Sequence, residues 1–476
     1  MTGRSALVSD ETIDAWIASK KPEIIEAIKQ LVRVRSVYEG FDASAEHPFG
    51  SGCAQAVDEA QDIIVRAGLQ AVNHDYYGIS AIYPGKSERK ISFFSHLDVV
   101  PEGEGWTFDP YEPFEQDGFL FGRGARDNKA AAAGVIYTLQ FFKEHHIPLK
   151  HTVSAFLGCN EEAGMQDVAY YLKEEDPAFS IVSDAFFPVG NGEKGILTAD
   201  FIADIAGTNL LDFYGGELSN VIPGTARAIL SGITPEQVQA ALGEQFTVTP
   251  HPQGVVIEAS GLGGHAAFPE GTINPIQKLA GALLRYELVT GSAARALAFI
   301  DEAFADYYGH GLRIAYEDEV SGQTTHTTGM VRLSNDKLTV NTNIRYAISA
   351  KSGEIVEKIR ARGAEYGFVL EHADDNPPYH VSENEPIVQQ LAALANSVLQ
   401  TDQKPYVMGG ATHARKLPRA VAFGPSRSDL SKPFPLGRGG PHQPDEAVRL
   451  QTIWDAMKVY IHALLLLDEL VDNPTL

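Results

Sequence analysis

Ile91-Ser92-Phe93-Phe94-Ser95-His96-Leu97-Asp98 is an apolar run that stops on an imidazole and a carboxylate two residues apart. Residues 91–94 read as a buried strand, and in extended chain every second side chain faces the same way, so His96 and Asp98 share a cleft. Asp98 is then placed to accept the second ring N–H of His96 and fix its tautomer. Ligands of open parallel sheets gather at the carboxyl ends of strands, so the stretch implies a place in a fold as well as a chemistry. The pattern repeats around it. Strand-like runs at Phe119 to Phe121, Thr152 to Leu157 and Ile181 to Val182 alternate with helical spacing from Ser9 or Asp10 through Leu31, from Cys53 to Ala67 and from Asn128 to about His145. This alternation predicts an α/β fold with a mostly parallel sheet flanked by helices.

The pattern changes after Gly192-Glu193-Lys194-Gly195. Alternating strands such as Leu197 to Ile205 and Gly254 to Ala259 then interleave with helices near Pro235 to Leu242 and Asn274 to Val289. A helix over Glu385 to Leu399, an apolar strand at Ala420 to Phe423 and a terminal helix from Pro444 to about Leu470 restore the first pattern. A chain of 476 residues is long for one core. The expected organisation is a discontinuous domain of residues 1–197 and 382–476, interrupted by an inserted α+β domain over 198–381.

With 62 acidic and 38 basic residues the net charge is -24, which would repel nucleic acid or an anionic membrane. The two cysteines, Cys53 and Cys159, make no disulfide framework and no thiolate metal site, and read as buried and reduced. Residues 1–10 carry no apolar run behind Arg4, and Ala463 to Leu467 is too short to span a bilayer. A cytoplasmic location is expected.

Four further short motifs carry chemistry: Gly122-Arg123-Gly124 through Asp127, Asn160-Glu161-Glu162, Ser183-Asp184 and Gly440-Pro441-His442-Gln443-Pro444. Two imidazoles (His96, His442) and three carboxylates (Asp127, Glu162, Asp184), with no thiolate, suit a pair of divalent cations sharing a bridging carboxylate. Three such carboxylates in one cleft raise one another's pKa unless cations balance them. Adjacent Glu161 and Glu162 point different ways, so one can bind metal while the other moves protons. Pro444 suits the first position of a helix whose positive end would keep His442 neutral. Gly261-Leu262-Gly263-Gly264-His265-Ala266 matches a dinucleotide pattern, but Pro269 interrupts the helix that must follow.

On Ser95-His96-Leu97-Asp98-Val99-Val100-Pro101, Gly122-Arg123-Gly124 through Asp127, Glu161-Glu162, Asp184 with Gly192-Glu193-Lys194-Gly195, and His442, the chain resembles metallopeptidase family M20, in particular its PepV-type dipeptidases. The resemblance implies a catalytic domain whose insert is a lid. It implies two divalent ions, Zn²⁺ first and Mn²⁺ or Co²⁺ otherwise, one held by His96, Asp127 and Asp184 and the other by Asp127, Glu162 and His442. Asp98 orients a ligand, Glu161 is the base, and His265 of the lid meets the oxyanion. Asn220, Arg345 and Gly440 bind substrate, with Arg345 suited by its planar fork to a terminal carboxylate. A long lid is similar to two short ones, which implies a monomer. Ser95, Asn128, Ala130 and Thr412-His413 depart from the family's usual residues. The function implied is two-metal hydrolysis of dipeptides or short peptides with free termini. Two other readings stay open: an N-acyl amino acid amidohydrolase of the same fold, and a metal- or peptide-binding protein without turnover.

Overall fold

A computed structural model describes residues 8–431, 433–435 and 437–472. Residues 1–7 of the amino-terminal stretch lie outside the described residues. Two compact units are present, one of Met1–Gly192, Val381–Tyr406 and Ala411–Leu476, the other of Glu193–His380 and Val407–Gly410.

In the first unit the strand Ser87–His96 runs parallel to both neighbours, His151–Gly158 and Phe179–Val182. Ala420–Ala422 adds in parallel beside Phe179–Val182. Gly78–Tyr83 and Gln70–Asn73 extend the other edge in antiparallel pairing. Ile91, Phe93, Val153, Ala155 and Ile181 are fully buried, as strands of a covered parallel sheet require. Register places His96 opposite Gly158 and Phe94 opposite Val182, so the segments following these strands leave from one edge. The helix Asp10–Val32 begins at Ser9, whose hydroxyl accepts the Thr12 amide at 3.2 Å. The helix Ala130–Glu144 opens with four alanines and is buried almost throughout, which lets the backbone pack closely against Leu450–Leu470. The α/β class expected from the alternation is the class observed.

Two expectations are corrected. Phe119–Phe121 does not join the parallel sheet; it pairs with Phe114–Gln116 and Ala447–Arg449 in a separate three-stranded sheet. The terminal helix therefore begins at Leu450 and not at Pro444, because residues 447–449 must stay extended to pair with residues 119–121.

The second unit is built on an antiparallel sheet in which Gly195–Asp204 pairs with both Lys337–Tyr346 and Val369–Asn376. Gly195–Asp204 alternates buried and part-exposed residues along its length, the pattern of a sheet with one covered face. Helices Pro275–Arg285, Gly291–Ala303 and Ser352–Glu365 contribute to a separate core centred on Phe201, Phe213 and Phe299. Among the described residues no helix is long and apolar enough to cross a membrane.

At Gly195 a Cβ would lie 1.9 Å from the ring of Tyr346, which is 1% exposed and bonded through its hydroxyl to Asp375 at 2.7 Å. The ring cannot yield freely. Gly195→Ala is expected to destabilise the chain by about 1–3 kcal/mol through overpacking, read as a lower denaturant midpoint.

Candidate metal centre

His96, at the end of its strand, is fully buried. Its Nδ1 lies 2.9 Å from the backbone carbonyl of Asp98 and donates there, so Nε2 is the nitrogen left to face Asp127 Oδ1 at 3.0 Å and Asp184 Oδ2 at 3.6 Å. The Asp98 carboxylate, expected to orient this ring, is farther away at 3.5 Å. Its oxygens instead accept the Glu161 amide at 3.2 Å and the Glu162 amide at 3.0 Å. Asp98 thus orients His96 through its main chain and holds the turn bearing both glutamates through its side chain.

Asp127 follows a turn that only glycine permits at residue 124, where φ is +79° and a Cβ would meet Val99 at 2.5 Å. Its two oxygens serve different imidazoles, Oδ1 facing His96 and Oδ2 lying 3.3 Å from His442 Nε2. His442 Nε2 is also 2.9 Å from Glu162 Oε1. Asp184 follows Phe179–Val182 and receives an Asn128 amide N–H at 2.9 Å, while the same Asn128 nitrogen donates to the Ser183 carbonyl. His96, Asp127, Glu162, Asp184 and His442 therefore come together. Glu161 is 9% exposed and its Oε1 has no hydrogen-bond partner among the described residues.

Among the described residues, donor atoms of His96, Glu161 and Asp184 form one group and those of His96, Asp127 and Glu162 another, each within 4.8 Å. In the first group Glu161 stands where the sequence reading has Asp127, and in the second His96 stands where it has His442. The set fits divalent cations: imidazole and carboxylate donors only, with Asp127 presenting one oxygen to each side. Its electrostatics agree. Burial, and then the Asp127 charge, push Asp184 up to about 7. Burial, and then neighbouring carboxylates that outweigh the opposing effect of His96, raise Glu161 well above the usual range. For His96 burial acts downward, but Asp127 and Asp98 overcome it; for His442 burial acts downward and Glu162 and Asp127 overcome it. Both imidazoles therefore hold protons more tightly than normal, contrary to the neutral His442 expected from a helix terminus. The helix that would have supplied that field starts at Leu450, beyond reach of residue 442.

The sequence reading gives Arg123 and Glu446 no such role. Glu446, fully buried, accepts the amides of Gly124, Arg126 and Asp127 at 2.9–3.0 Å and pairs with Arg123 at 2.7 Å. Arg123 also donates to the carbonyls of Pro101 and Glu102. The pair ties together the chain after His96, the turn before Asp127 and the chain after His442. The position of Arg123 inside Gly122-Arg123-Gly124 is the available signal; Glu446 is masked by its likeness to the opening turn of a helix that begins later.

In the second unit, His265 accepts the Ala267 amide on Nδ1 at 3.1 Å, which leaves the proton on Nε2. The Asn220 carbonyl accepts the Ala266 amide at 2.8 Å, so Asn220 and His265 are neighbours. Arg345 donates to Asn343 Oδ1 at 2.8 Å and to the Gly409 carbonyl at 3.0 Å. In the first unit, the Gly440 amide is taken by Gln443 Oε1 at 3.1 Å.

The sequence model of Peptidase family M20/M25/M40 matches residues 93–466. The chain belongs to peptidase family M20. It is accordingly a peptidase of a metal-dependent family. This M20 chain is 28% identical over 463 residues to the Bacillus subtilis protein named "Putative dipeptidase YtjP", covering 94% of this chain and 98% of that one. Among solved structures, the dipeptidase Dug1p from Saccharomyces cerevisiae superposes with a TM-score of 0.59 at 12% identity, over 96% of this chain and 98% of that one. The M20 family metallo-carboxypeptidase Sso-CP2 from Sulfolobus solfataricus gives 0.56 at 13%, over 94% and 100%. At such identities the structures speak for the fold.

Two measurements test the centre. Below the raised Asp184 value a metal must displace a carboxyl proton, and the two imidazoles add to that demand. Affinity for Zn²⁺, followed by competition with a chelating dye, should rise from about pH 6 to about pH 8 with proton release; a pH-independent affinity would contradict it. Glu446→Ala leaves Arg123 buried without its partner and should cost about 3–5 kcal/mol, read by denaturant unfolding.

Proposed function

We propose that this M20 peptidase hydrolyses dipeptides and short peptides with free termini, using two divalent cations. The observation that carries the reading is Asp127, whose two oxygens face two different imidazoles beside Glu162 and Asp184. The residues assigned to one cation are His96, Asp127 and Asp184, and to the other Asp127, Glu162 and His442; Zn²⁺ is the first choice, with Mn²⁺ and Co²⁺ as substitutes. Such cations supply a polarised carbonyl and a water of lowered pKa.

The remaining roles belong to the chain. Glu161, its proton affinity raised by burial and its amide held by Asp98, takes a proton from water and passes it to the leaving amine. His265, with its proton on Nε2, donates to the developing oxyanion. Arg345 and Asn220 recognise the substrate, the guanidinium taking a terminal carboxylate through its fork. Gly440 lends backbone to the substrate's approach. The insert over residues 198–381 acts as a lid on the catalytic domain of residues 1–197 and 382–476, and the chain works as a monomer in the cytoplasm. Dipeptide substrates are supported by the name of the B. subtilis relative.

A panel of free dipeptides and N-acylated amino acids, assayed after metal stripping and after reconstitution, tests this. Dipeptides should be cleaved and N-acyl amino acids spared, with turnover lost to chelation and restored by Zn²⁺, Mn²⁺ or Co²⁺. Glu161→Gln should lower kcat by roughly 10²–10⁴-fold with KM little changed. Preferential deacylation would favour the amidohydrolase instead, and an undiminished Glu161→Gln enzyme would remove Glu161 from the proton path.

A further inference from the structure

His413 lies behind the metal centre, its ring 6.4 Å from that of His96, and has no part in the roles assigned above. It is 1% exposed, and its Nε2 meets Asp167 Oδ2 at 3.1 Å; Asp167 is itself fully buried. A nitrogen facing a carboxylate carries the proton, so His413 donates and Asp167 accepts. The Thr412 hydroxyl accepts the Ala414 amide at 3.1 Å, fixing the short turn His413–Lys416 that carries the ring.

Asp167 spends its other contacts on main chain. Oδ2 also accepts the Asn160 amide at 3.1 Å, and Oδ1 accepts the Val168 amide at 2.8 Å. This approach to the strand end requires Gly158, where a Cβ would stand 2.0 Å from Asp167 Oδ2 and 3.2 Å from the His413 ring. Three successive amides, of Asn160, Glu161 and Glu162, are thus held by two carboxylates: Asp167 takes the first and Asp98 the next two. Asn160 adds its own carbonyl and side-chain oxygen to the amides of Met165 and Gln166. Without a side-chain donor on Asp167, a buried carboxylate would keep only backbone partners and would be free to shift with them.

We infer that His413 is a positioning residue: by donating Nε2–H to Asp167 it sets the Asn160–Glu161–Glu162 turn, and through that turn the placing of the base and of one metal ligand. The inference rests on the proposed function for what Glu161 does, and on geometry alone for Glu162.

The two ring nitrogens of histidine have separate mimics, which makes the test specific. The amide nitrogen of glutamine reaches about as far as Nε2, and that of asparagine about as far as Nδ1. His413→Gln should stay within roughly threefold of the parent in kcat, whereas His413→Asn should lose on the order of 10–100-fold in kcat and in Zn²⁺ affinity measured by dye competition, with KM little changed. H413N, which leaves the buried Asp167 without its side-chain donor, should melt below H413Q, so both readouts are taken well below either melting temperature. A match between H413Q and H413N in both readouts would overturn the inference. So would a loss in H413N that falls on KM and spares both kcat and Zn²⁺ affinity. If the parent cleaves no dipeptide, the functional reading fails while the Zn²⁺ affinities of H413Q and H413N still decide the role of His413.

Discussion

Carboxylates dislike one another's company away from water, and Asp127, Glu161, Glu162 and Asp184 have been brought to one end of a parallel sheet. Their repulsion is the constraint the surroundings answer. Asp184 and Glu161 respond by holding protons more tightly, and His96 and His442 by becoming stronger bases. Cations would relieve the same strain, which is why an arrangement costly for the bare chain suits a metal-binding centre. Arg123, close to Asp127 in sequence, is turned to Glu446.

The second answer is rigidity from the main chain. Asp98, Glu446 and Asp167 are buried acids that bind backbone amides rather than metal donors: Asp98 those of Glu161 and Glu162, Glu446 those of Gly124, Arg126 and Asp127, and Asp167 those of Asn160 and Val168. Each sits beneath a segment that carries a proposed ligand. Glycine makes the approach possible at residues 124 and 158, where a side chain would occupy the space that Val99 or Asp167 fills. Donor atoms are thereby placed by buried carboxylates that spend their oxygens on the main chain.

The local logic of the strands is readable because its periods are short. An apolar run followed by a polar residue marks a strand end wherever it occurs, and His96 and Asp184 stand out in that way. Family resemblance then joins motifs that spacing cannot. What escapes the sequence is pairing between distant segments. Pro444 with Asp445 and Glu446 looks like the opening of a helix, but antiparallel pairing of Ala447–Arg449 with Phe119–Phe121 keeps the chain extended, and Glu446 is spent on the turn before Asp127. Asp98 sits at the right spacing to meet the His96 ring, yet its carbonyl makes the closer contact while its carboxylate serves two amides. His413 is visible only as an unusual residue; its partner lies on a helix that nothing in the local sequence connects with it.

The parallel addition of Ala420–Ala422 beside Phe179–Val182 has a consequence for biosynthesis. During translation the strand that ends on His96 and the strand Phe179–Val182 before Asp184 emerge early, while the strand that covers the edge of the latter, and His442 beyond it, leave the ribosome after the entire insert. Closing so long a loop is slow, and a nascent chain meanwhile displays an unpaired sheet edge next to an incomplete cation cage. The intervening unit has its own core and can fold while the rest waits. Maturation of such a chain ends, rather than begins, with the competence to capture metal.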